Sequence, residues 1–408
     1  MKYDITRRQF VRKSFIGTFG ILSADSANSG NSGTGLSVGL IGCGGRGTGA
    51  LFNLLSADPS IRVNALADVF KPRIEFSAQQ LLEKKNVRVP DDAKFVGLDA
   101  YKSLLKTDVD IVIHATCAYA RPEHIEAAVA AGKHLFVEKP AAVDPVGVRR
   151  FIAAAQAAKS KGLTLVSGLQ RRYQGAYQET VKRLQDGFVG EILSCEAFWW
   201  ATLPFCRERE SAESDLAYRI RNWCNYCWTG GDSIVDAHVH NLDVINWVLD
   251  EPPVRVTAKG GRGPRQSDER YGDIFEYFDC EYEYACGVKL ISGSRWSNDK
   301  DKPSTKVYEK VIGSKGESNC RDLIQSSDLD PYVEEHRMLL QSIQGGQYIN
   351  DGVRHGESTL TAIMGRMAAY SGKAVTWDEA FNSQIQLVPG HLDWSKSYPV
   401  GPVPAHGI

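Results

Sequence analysis

Residues 36–47 read Leu-Ser-Val-Gly-Leu-Ile-Gly-Cys-Gly-Gly-Arg-Gly, and this stretch decides the fold of the chain. Its first six residues are mostly aliphatic, which predicts a buried strand of a parallel sheet. The turn that follows has the spacing Gly-x-Gly-x-x-Gly and consists of Gly42, Cys43, Gly44, Gly45, Arg46 and Gly47. Glycines so spaced permit a tight turn, a close backbone approach to a pyrophosphate and close packing of helix on strand. Because residues 48–56 continue as a helix-like segment, its N-terminal amides would point at those phosphates.

A carboxylate follows at the spacing expected for a ribose contact. The second predicted strand, residues 62–68, ends at Asp68, which lies 21 positions after Gly47. An acidic residue there binds the adenosine ribose hydroxyls and repels a 2′-phosphate, so NAD is favoured. Lys71 and Arg73 lie close by and keep NADP open. We therefore predict a site for NAD or NADP; the alternative is a glycine-rich turn of some other α/β fold.

Strand-like and helix-like segments continue to alternate after this turn. Further strands are predicted at 109–116, 134–137 and 163–167, and the helices between them at 122–131 and 144–161. Strand and helix alternating in this way predict a parallel, doubly wound sheet, which we place at residues 36–168.

The rest of the chain predicts a second α/β domain, residues 169–375, and a proline-containing extended arm, residues 376–408. Its strands are predicted at 190–200, 254–260, 274–284, 287–294 and 308–312, and its helices at 331–345 and 355–372. A chain of 408 residues with 43% hydrophobic content suits two cores. The net charge of −1, without a Lys/Arg stripe, predicts no nucleic-acid partner. No apolar run reaches the ~20 residues that a bilayer span needs.

The first 35 residues predict an export signal followed by a linker. Thr6-Arg7-Arg8-Gln9-Phe10 precedes a short apolar stretch, and a Ser/Gly/Asn-rich segment leads to residue 35. This order resembles a twin-arginine signal, so we expect the twin-arginine machinery as a partner and a periplasmic or otherwise exported protein. A basic, disordered N-terminus on a cytoplasmic protein is the alternative.

Nine cysteines are scattered along the chain, and Cys224 and Cys227 form the one C-x-x-C. An odd number of cysteines without compact spacing does not predict a disulfide framework. Two semi-buried thiols are the favoured interpretation, and no metal is predicted; a zinc or redox site is the alternative.

Three side chains are candidates for proton chemistry. Lys139 directly follows the strand at 134–137, hence lies at a carboxyl edge where ligands bind in open α/β sheets. Asp236 and His240 are four residues apart on a helix predicted from Ser233, one turn from each other. His240 could take a hydroxyl proton while Asp236 fixes the imidazole tautomer.

Two other interpretations of the segment around His240 stay open. The first is a capped helix N-terminus with ordinary polar residues. The second is a metal site formed by Asp236, His238, His240 and Asp243. The metal site is disfavoured because His238 and His240 diverge on a helix.

Three motifs follow one another along the chain: the glycine-rich turn, the segment 124–140, which ends in Ala-Gly-Lys-His-Leu-Phe-Val-Glu-Lys-Pro, and Asp236-x-x-x-His240. With these motifs in this order, the chain resembles the Gfo/Idh/MocA family over about residues 36–375. The resemblance implies a Rossmann domain and a C-terminal α+β domain whose open, mainly antiparallel sheet often forms homodimers or homotetramers. It implies catalytic roles for Lys139, Asp236 and His240. It also implies that Glu138 and His124 lie near the nicotinamide. Many relatives have Thr-Pro in the cofactor loop, where this chain has Thr116-Cys117-Ala118-Tyr119.

An aromatic and charged insertion, residues 198–228, distinguishes this chain from simpler dehydrogenases. It contributes Asn222 and Trp223, and Arg172 and Tyr173 follow the last strand of the first domain. Aromatic rings with polar groups beside them suit a sugar, whose C–H face stacks and whose hydroxyls bind hydrogen-bonding groups. We therefore name these four as weak substrate candidates; filling of a domain interface is the alternative.

These observations together predict an NAD(P)-dependent oxidoreductase that transfers hydride to or from a hydroxyl carbon of a sugar, polyol or related carbohydrate. Export would require a tightly bound cofactor, since a free dinucleotide pool is not expected outside the cytoplasm. An NAD-dependent glycoside hydrolase or lyase that works by transient oxidation and elimination is the alternative. A non-catalytic sensor is a third possibility, which the three proton-handling candidates disfavour.

Overall fold

A computed structural model of the chain describes residues 35–262, 269–297, 306–323, 329–398 and 400. The predicted export signal lies outside these residues. Within them, no helix combines the length and the apolar character needed to cross a membrane.

The first sheet has six parallel strands in the order β3-β2-β1-β4-β5-β6. Its strands are β1 Ser37–Ile41, β2 Arg62–Asp68, β3 Lys94–Val96, β4 Ile111–His114, β5 His134–Val137 and β6 Leu165–Ser167. The central strand β1 is buried along its whole length, as its aliphatic sequence predicts. The predicted doubly wound sheet is therefore confirmed.

Helices cover both faces of this sheet. They are α1 Gly45–Ala57, α2 Lys71–Lys85, α3 Ala100–Leu104, α4 Arg121–Ala130 and α5 Pro145–Ser160. On one face, Leu51 and Leu54 of α1 pack against Leu40 of β1. On the other face, Ile125 of α4 and Phe151 of α5 belong to a second apolar core. Alternate residues of β1, β2, β4, β5 and β6 therefore enter different cores.

The second sheet has seven strands in the order β12-β11-β7-β10-β9-β8-β13. They are β7 Ile192–Thr202, β8 Arg255–Gly261, β9 Tyr277–Glu283, β10 Lys289–Ser297, β11 Lys306–Gly313, β12 Gly316–Ser318 and β13 Val375–Thr376. β7 and β10 are parallel, and the other pairs are antiparallel. The mainly antiparallel sheet is as expected.

The helices of the second half cover one face of this sheet and connect the two domains. They are α6 Gly175–Gln185, α7 Asp215–Arg221, α8 Cys227–Gly230, α9 Ser233–Asp236, α10 Val239–Leu249, α11 Pro331–Gly345, α12 Gly352–Ser371 and α13 Trp377–Asn382. Two expectations are wrong here. The helix predicted from Ser233 is broken between Asp236 and Val239, and the tail begins with a strand and a helix rather than an extended arm.

After β12 the chain returns to the first sheet, before it adds β13 to the second sheet. Leu339 and Leu340 of α11 join the apolar core that α1 forms on the first sheet. At the edge of that sheet, Leu165 of β6 donates its amide to the carbonyl of Ile349 at 2.9 Å and accepts from the amide of Asp351 at 2.9 Å. Residues 349–351 therefore extend the first sheet beyond β6.

Candidate active site

The glycine-rich turn has the geometry that its sequence predicts. Gly42 has φ +98°, and a Cβ there would lie 2.6 Å from the carbonyl carbon of Ala115. A Cβ on Gly47 would lie 1.9 Å from the oxygen of Gly42. Side chains are thus excluded from both positions, and β1 and α1 approach each other closely.

The N-terminus of α1 is open toward a ligand. Its cap residue is Gly44, so no side chain satisfies the first amides of the helix. A Cβ on Gly45 would meet no atom of the described chain within 4 Å. These amides suit an anionic pyrophosphate.

Asp68 ends β2 beside this turn. Its carboxylate accepts hydrogen bonds from the amides of Cys43 at 2.7 Å and Phe70 at 2.9 Å. Burial raises the pKa of Asp68, and the two amides and Arg73 oppose that shift. A fixed carboxylate at this edge suits the ribose hydroxyls of a dinucleotide. The turn, the helix N-terminus and Asp68 together fit such a cofactor.

Arg46 connects the turn to two acidic side chains. It forms ion pairs with Glu138, next to Lys139, and with Glu335 on α11, where Nη2 lies 3.2 Å from Oε1. Its guanidinium carbon lies 4.7 Å from the centre of the Tyr332 ring. Burial, then the charge of Glu138, raises the pKa of Glu335 well above its usual value. Glu335 and Tyr332 were not predicted from the sequence, because no motif connects α11 to a turn almost three hundred residues earlier.

The loop after β4 places Thr116 and His124 against one buried histidine. Thr116 Oγ1 lies 3.2 Å and His124 Nδ1 lies 3.1 Å from His114 Nε2. The His124 ring stacks on Tyr101 with 3.8 Å between ring centres. Burial lowers the pKa of His124 to about 3, so its ring is neutral at neutral pH. Its position near the nicotinamide stays a prediction.

Lys139 and Asp236 meet where the two domains join. Lys139 Nζ donates to the backbone oxygen of Asp236 at 2.5 Å and lies 3.5 Å from its carboxylate oxygen Oδ1. The structure thus joins the carboxyl edge of β5 to the end of α9. These two candidates are 97 residues apart in sequence.

His240 lies in the same region, on α10, but not as predicted relative to Asp236. Its Nδ1 is buried without a hydrogen-bond partner among the described residues. The expected Asp236–His240 pair is therefore wrong: because the helix breaks after Asp236, this carboxylate faces Lys139 instead. Burial, with the positive charges of Lys139 and Arg171, holds the pKa of His240 well below its usual value. The ring is therefore neutral at neutral pH and can accept a proton, as a weaker base than a free imidazole.

Trp199 is a neighbour of His240 that the sequence analysis did not single out. The two rings are nearly parallel, at 25°, with 6.0 Å between their centres. The Arg171 guanidinium carbon lies 5.9 Å from the same indole. Alternation along β7 was the available signal, because it places Trp199 on the inner face with Ala197.

Arg172 and Tyr173 bind acidic side chains in the interior. Arg172 forms a bidentate pair with Asp243, at 2.8 Å from Nη2 to Oδ1, and Tyr173 donates to Asp351. Ser358 on α12 also donates to Asp243, at 2.7 Å. These contacts favour the alternative that the sequence left open, a domain interface, over a substrate role.

Asn222 and Trp223 are likewise used within the insertion. The Asn222 amide donates to the backbone oxygen of Arg270 at 2.8 Å, and its oxygen accepts from the amide of Arg207 at 3.0 Å. Trp223 packs edge-to-face on Phe205 with 5.8 Å between ring centres. Both side chains thus order the insertion itself.

The side chains considered as alternative metal ligands have separate partners. His238 lies 2.7 Å from the hydroxyl of Ser292, while Asp243 binds Arg172. In the part of the chain that is described, no three His, Cys, Asp or Glu side chains cluster as a metal would require. Cys224 and Cys227 are buried free thiols, and Cys224 Sγ lies 3.2 Å from the oxygen of Phe205.

Sequence families agree with this fold. Residues 36–168 match the model described as an oxidoreductase family with an NAD-binding Rossmann fold, which defines the class of the protein. Residues 177–318 match the C-terminal domain of the same family. The chain belongs to the GFO/IDH/MocA oxidoreductase family, as the sequence resemblance implied.

The curated relatives of the chain include inositol dehydrogenases. The inositol 2-dehydrogenase of Acidothermus cellulolyticus is 28% identical over 226 residues, which cover 55% of this chain and 57% of that protein. The inositol 2-dehydrogenase of Pseudomonas savastanoi pv. phaseolicola is 27% identical over 357 residues, which cover 82% of this chain and 92% of that protein. The chain thus spans little more than half the length of some relatives.

A solved structure supports the fold alone. The scyllo-inositol dehydrogenase of Lactobacillus casei, with bound NAD(H) and scyllo-inositol, has a TM-score of 0.65 and 17% identity. The alignment covers 84% of this chain and 98% of that one.

Proposed function

We propose that the protein is an NAD-dependent dehydrogenase of a cyclic polyol or sugar, acting on one ring hydroxyl. The observation that carries this proposal is the meeting of Lys139 with Asp236, near the neutral His240, at the edge that carries the dinucleotide turn. The names of the curated relatives support the substrate class. They do not favour the redox-neutral glycoside chemistry, which we do not pursue.

In this proposal Lys139 positions the substrate and His240 handles the proton. The ammonium group of Lys139, oriented by Asp236, donates a hydrogen bond to the reacting hydroxyl. His240 accepts the hydroxyl proton at Nε2, because Nδ1 is buried. When bound, NAD supplies the acceptor for the hydride that leaves the same carbon. Oxidation thus yields a ketone, with the proton on His240, and the reverse reaction returns both.

The same proposal assigns residues to each part of the cofactor. We assign the pyrophosphate to the turn Gly42–Gly47 and the adenosine ribose to Asp68. Glu138 and His124 stay assigned to the nicotinamide side, and Thr116 stays assigned to the cofactor without a more exact contact. The Asp68 carboxylate, anchored by two amides, would repel a 2′-phosphate, so NAD should bind more tightly than NADP.

The test is a substrate screen with purified protein. Protein supplied with NAD is mixed with myo-inositol, scyllo-inositol or an aldose, and NADH is followed by absorbance. We expect NAD reduction by at least one cyclic polyol or sugar, and its loss in Lys139→Ala. Dinucleotide binding without hydride transfer from any of these compounds, to NAD or NADP, would overturn the proposal.

We also propose export by the twin-arginine route, which rests on the sequence Thr6–Phe10 alone. Replacing Arg7 and Arg8 by Lys should retain the full-length protein in the cytoplasm, and cell fractionation measures this. An unchanged distribution would reject export by the twin-arginine route.

A homodimer or homotetramer is proposed through the outer face of the second sheet. Ile291 on β10 is 45% exposed, and on the same face Lys306 Nζ lies 4.9 Å from the ring centre of Phe198. Light scattering after gel filtration should show an oligomer that Ile291→Glu shifts toward monomer. A wild-type monomer would reject this assignment.

A further inference from the structure

The insertion and the C-terminal tail meet the first domain at two of its ligand-side loops. One loop follows β2 and contains Val69 and Phe70; the other follows β4 and contains Cys117 and Tyr119. A single apolar cluster joins these loops to residues of both other segments. From the insertion and the tail it includes Leu216, Tyr218, Ile220, Tyr226, Trp228, Leu387, Val388, Leu392 and Tyr398. We call the parts 215–230 and 387–398 the cap.

Three aromatic rings tie the cap to the loop after β4. Trp228 lies 5.2 Å from Tyr119 between ring centres, and 6.2 Å from Tyr398, to which it is nearly parallel at 24°. Trp228 and Tyr398 are both buried. The row of rings therefore runs from the first domain through the insertion to the tail.

Hydrogen bonds fix the tail at both ends of the cap. At one end, Leu387 donates its amide to the Asp144 carboxylate at 2.7 Å. At the other end, Asp215 accepts from the amide of Tyr398 at 3.0 Å and from the hydroxyl of Ser397 at 2.8 Å. The tail thus crosses from the start of α5 to the start of α7.

The cap lies beside the place assigned to adenosine. Asp68 marks the ribose at the end of β2, and the loops after β2 and β4 flank the cleft on either side of β1. We infer that the cap forms the outer wall of the adenosine pocket and slows the exchange of NAD. The cofactor would then remain bound through successive turnovers. This inference rests on the dinucleotide site and not on the polyol chemistry.

The experiment measures NAD release without substrate. Full-length protein is loaded with NAD and desalted, and release is followed on addition of excess fluorescent etheno-NAD. Tyr398→Ala should speed release about tenfold, the effect of losing an aromatic pair and its burial. Ile385→Ala is the matched control, because Ile385 is in the same tail but lies outside the cap and is 45% exposed, and its release rate should equal that of wild type.

Two results would overturn the inference. One is fast release by the wild type, and the other is an unchanged rate in Tyr398→Ala. If Tyr398→Ala does not fold, Ser397→Ala removes one bond of the tail anchor and should still speed release severalfold; an unchanged rate there rejects the cap. A protein that releases NAD slowly but oxidises no polyol would reject only the proposed activity.

Discussion

The dinucleotide half and the second half of the site use their residues differently. Around Gly42–Gly47 the binding groups are backbone amides, and a ligand can approach them because the glycines carry no side chain. In the second half, the side chains nominated for substrate bind other side chains, as in Arg172–Asp243 and Tyr173–Asp351. A backbone site can be identified from a short motif, whereas a side chain's role depends on a partner far along the chain.

The largest expected effect concerns the proton-handling groups. Lys139→Ala and His240→Ala should each lower turnover by roughly two to four orders of magnitude, the usual contribution of acid–base catalysis. Single-turnover reduction of bound NAD measures this. The exposed Lys106 and His391 supply Ala controls that should keep wild-type rates. Near-normal turnover in both site variants would contradict the proposed proton-handling roles of Lys139 and His240.

Arg172 tests whether the second half holds the fold or the substrate. Arg172→Met leaves Asp243 buried without its cation and should lower the free energy of unfolding by about 3–5 kcal/mol. Arg183→Met breaks an exposed pair with Glu179 and should change it by less than about 0.5 kcal/mol. Urea unfolding gives both values. Unchanged stability with a raised KM would restore Arg172 as a substrate contact.

Gly47 tests whether the dinucleotide half of the site requires a residue without a side chain at the contact between β1 and α1. Gly47→Ala forces a Cβ onto the Gly42 oxygen, so it should lower the free energy of unfolding by about 3 kcal/mol and weaken NAD binding. In Gly49→Ala, in the same helix, the new Cβ lies 3.8 Å from its nearest atom, and the better helix propensity should raise the free energy of unfolding by about 0.5–1 kcal/mol. Thermal melting with and without NAD distinguishes them. Equal stability of the two variants would contradict the close approach of β1 and α1.

Buried neutral histidines occur in both halves and should make stability fall in acid. Burial lowers the pKa of His114, His124, His238, His240, His336 and His355. Below about pH 6.5 the unfolded chain binds protons that the folded chain does not, so folding weakens as pH decreases. Each such histidine contributes about 1.4 kcal/mol per pH unit. His336→Phe should make unfolding free energy less steep between pH 6 and 5; an unchanged slope would contradict a neutral His336.

Five of the six strands of the first sheet were predicted, because each is a mostly apolar run that ends at a turn. The exception is β3, whose three residues Lys94–Val96 form no buried apolar run. The strand pattern placed Lys139 at a strand end but could not show that Asp236 would meet it, since no glycine or proline marks the break in the helix after Asp236. Glu335 and Trp199 were missed because neither belongs to a local motif. Their roles arise from α11 crossing back to the glycine-rich turn and from β7 facing α10.

The extension of the first sheet by residues 349–351 has a consequence for how this protein can be divided. A fragment ending at residue 168 would expose the edge of β6 and the apolar face that α11 covers. Such a piece is not an interchangeable cassette. Recombination between relatives would have to carry the 331–351 segment together with the dinucleotide half, so the two halves are inherited as interlocking parts.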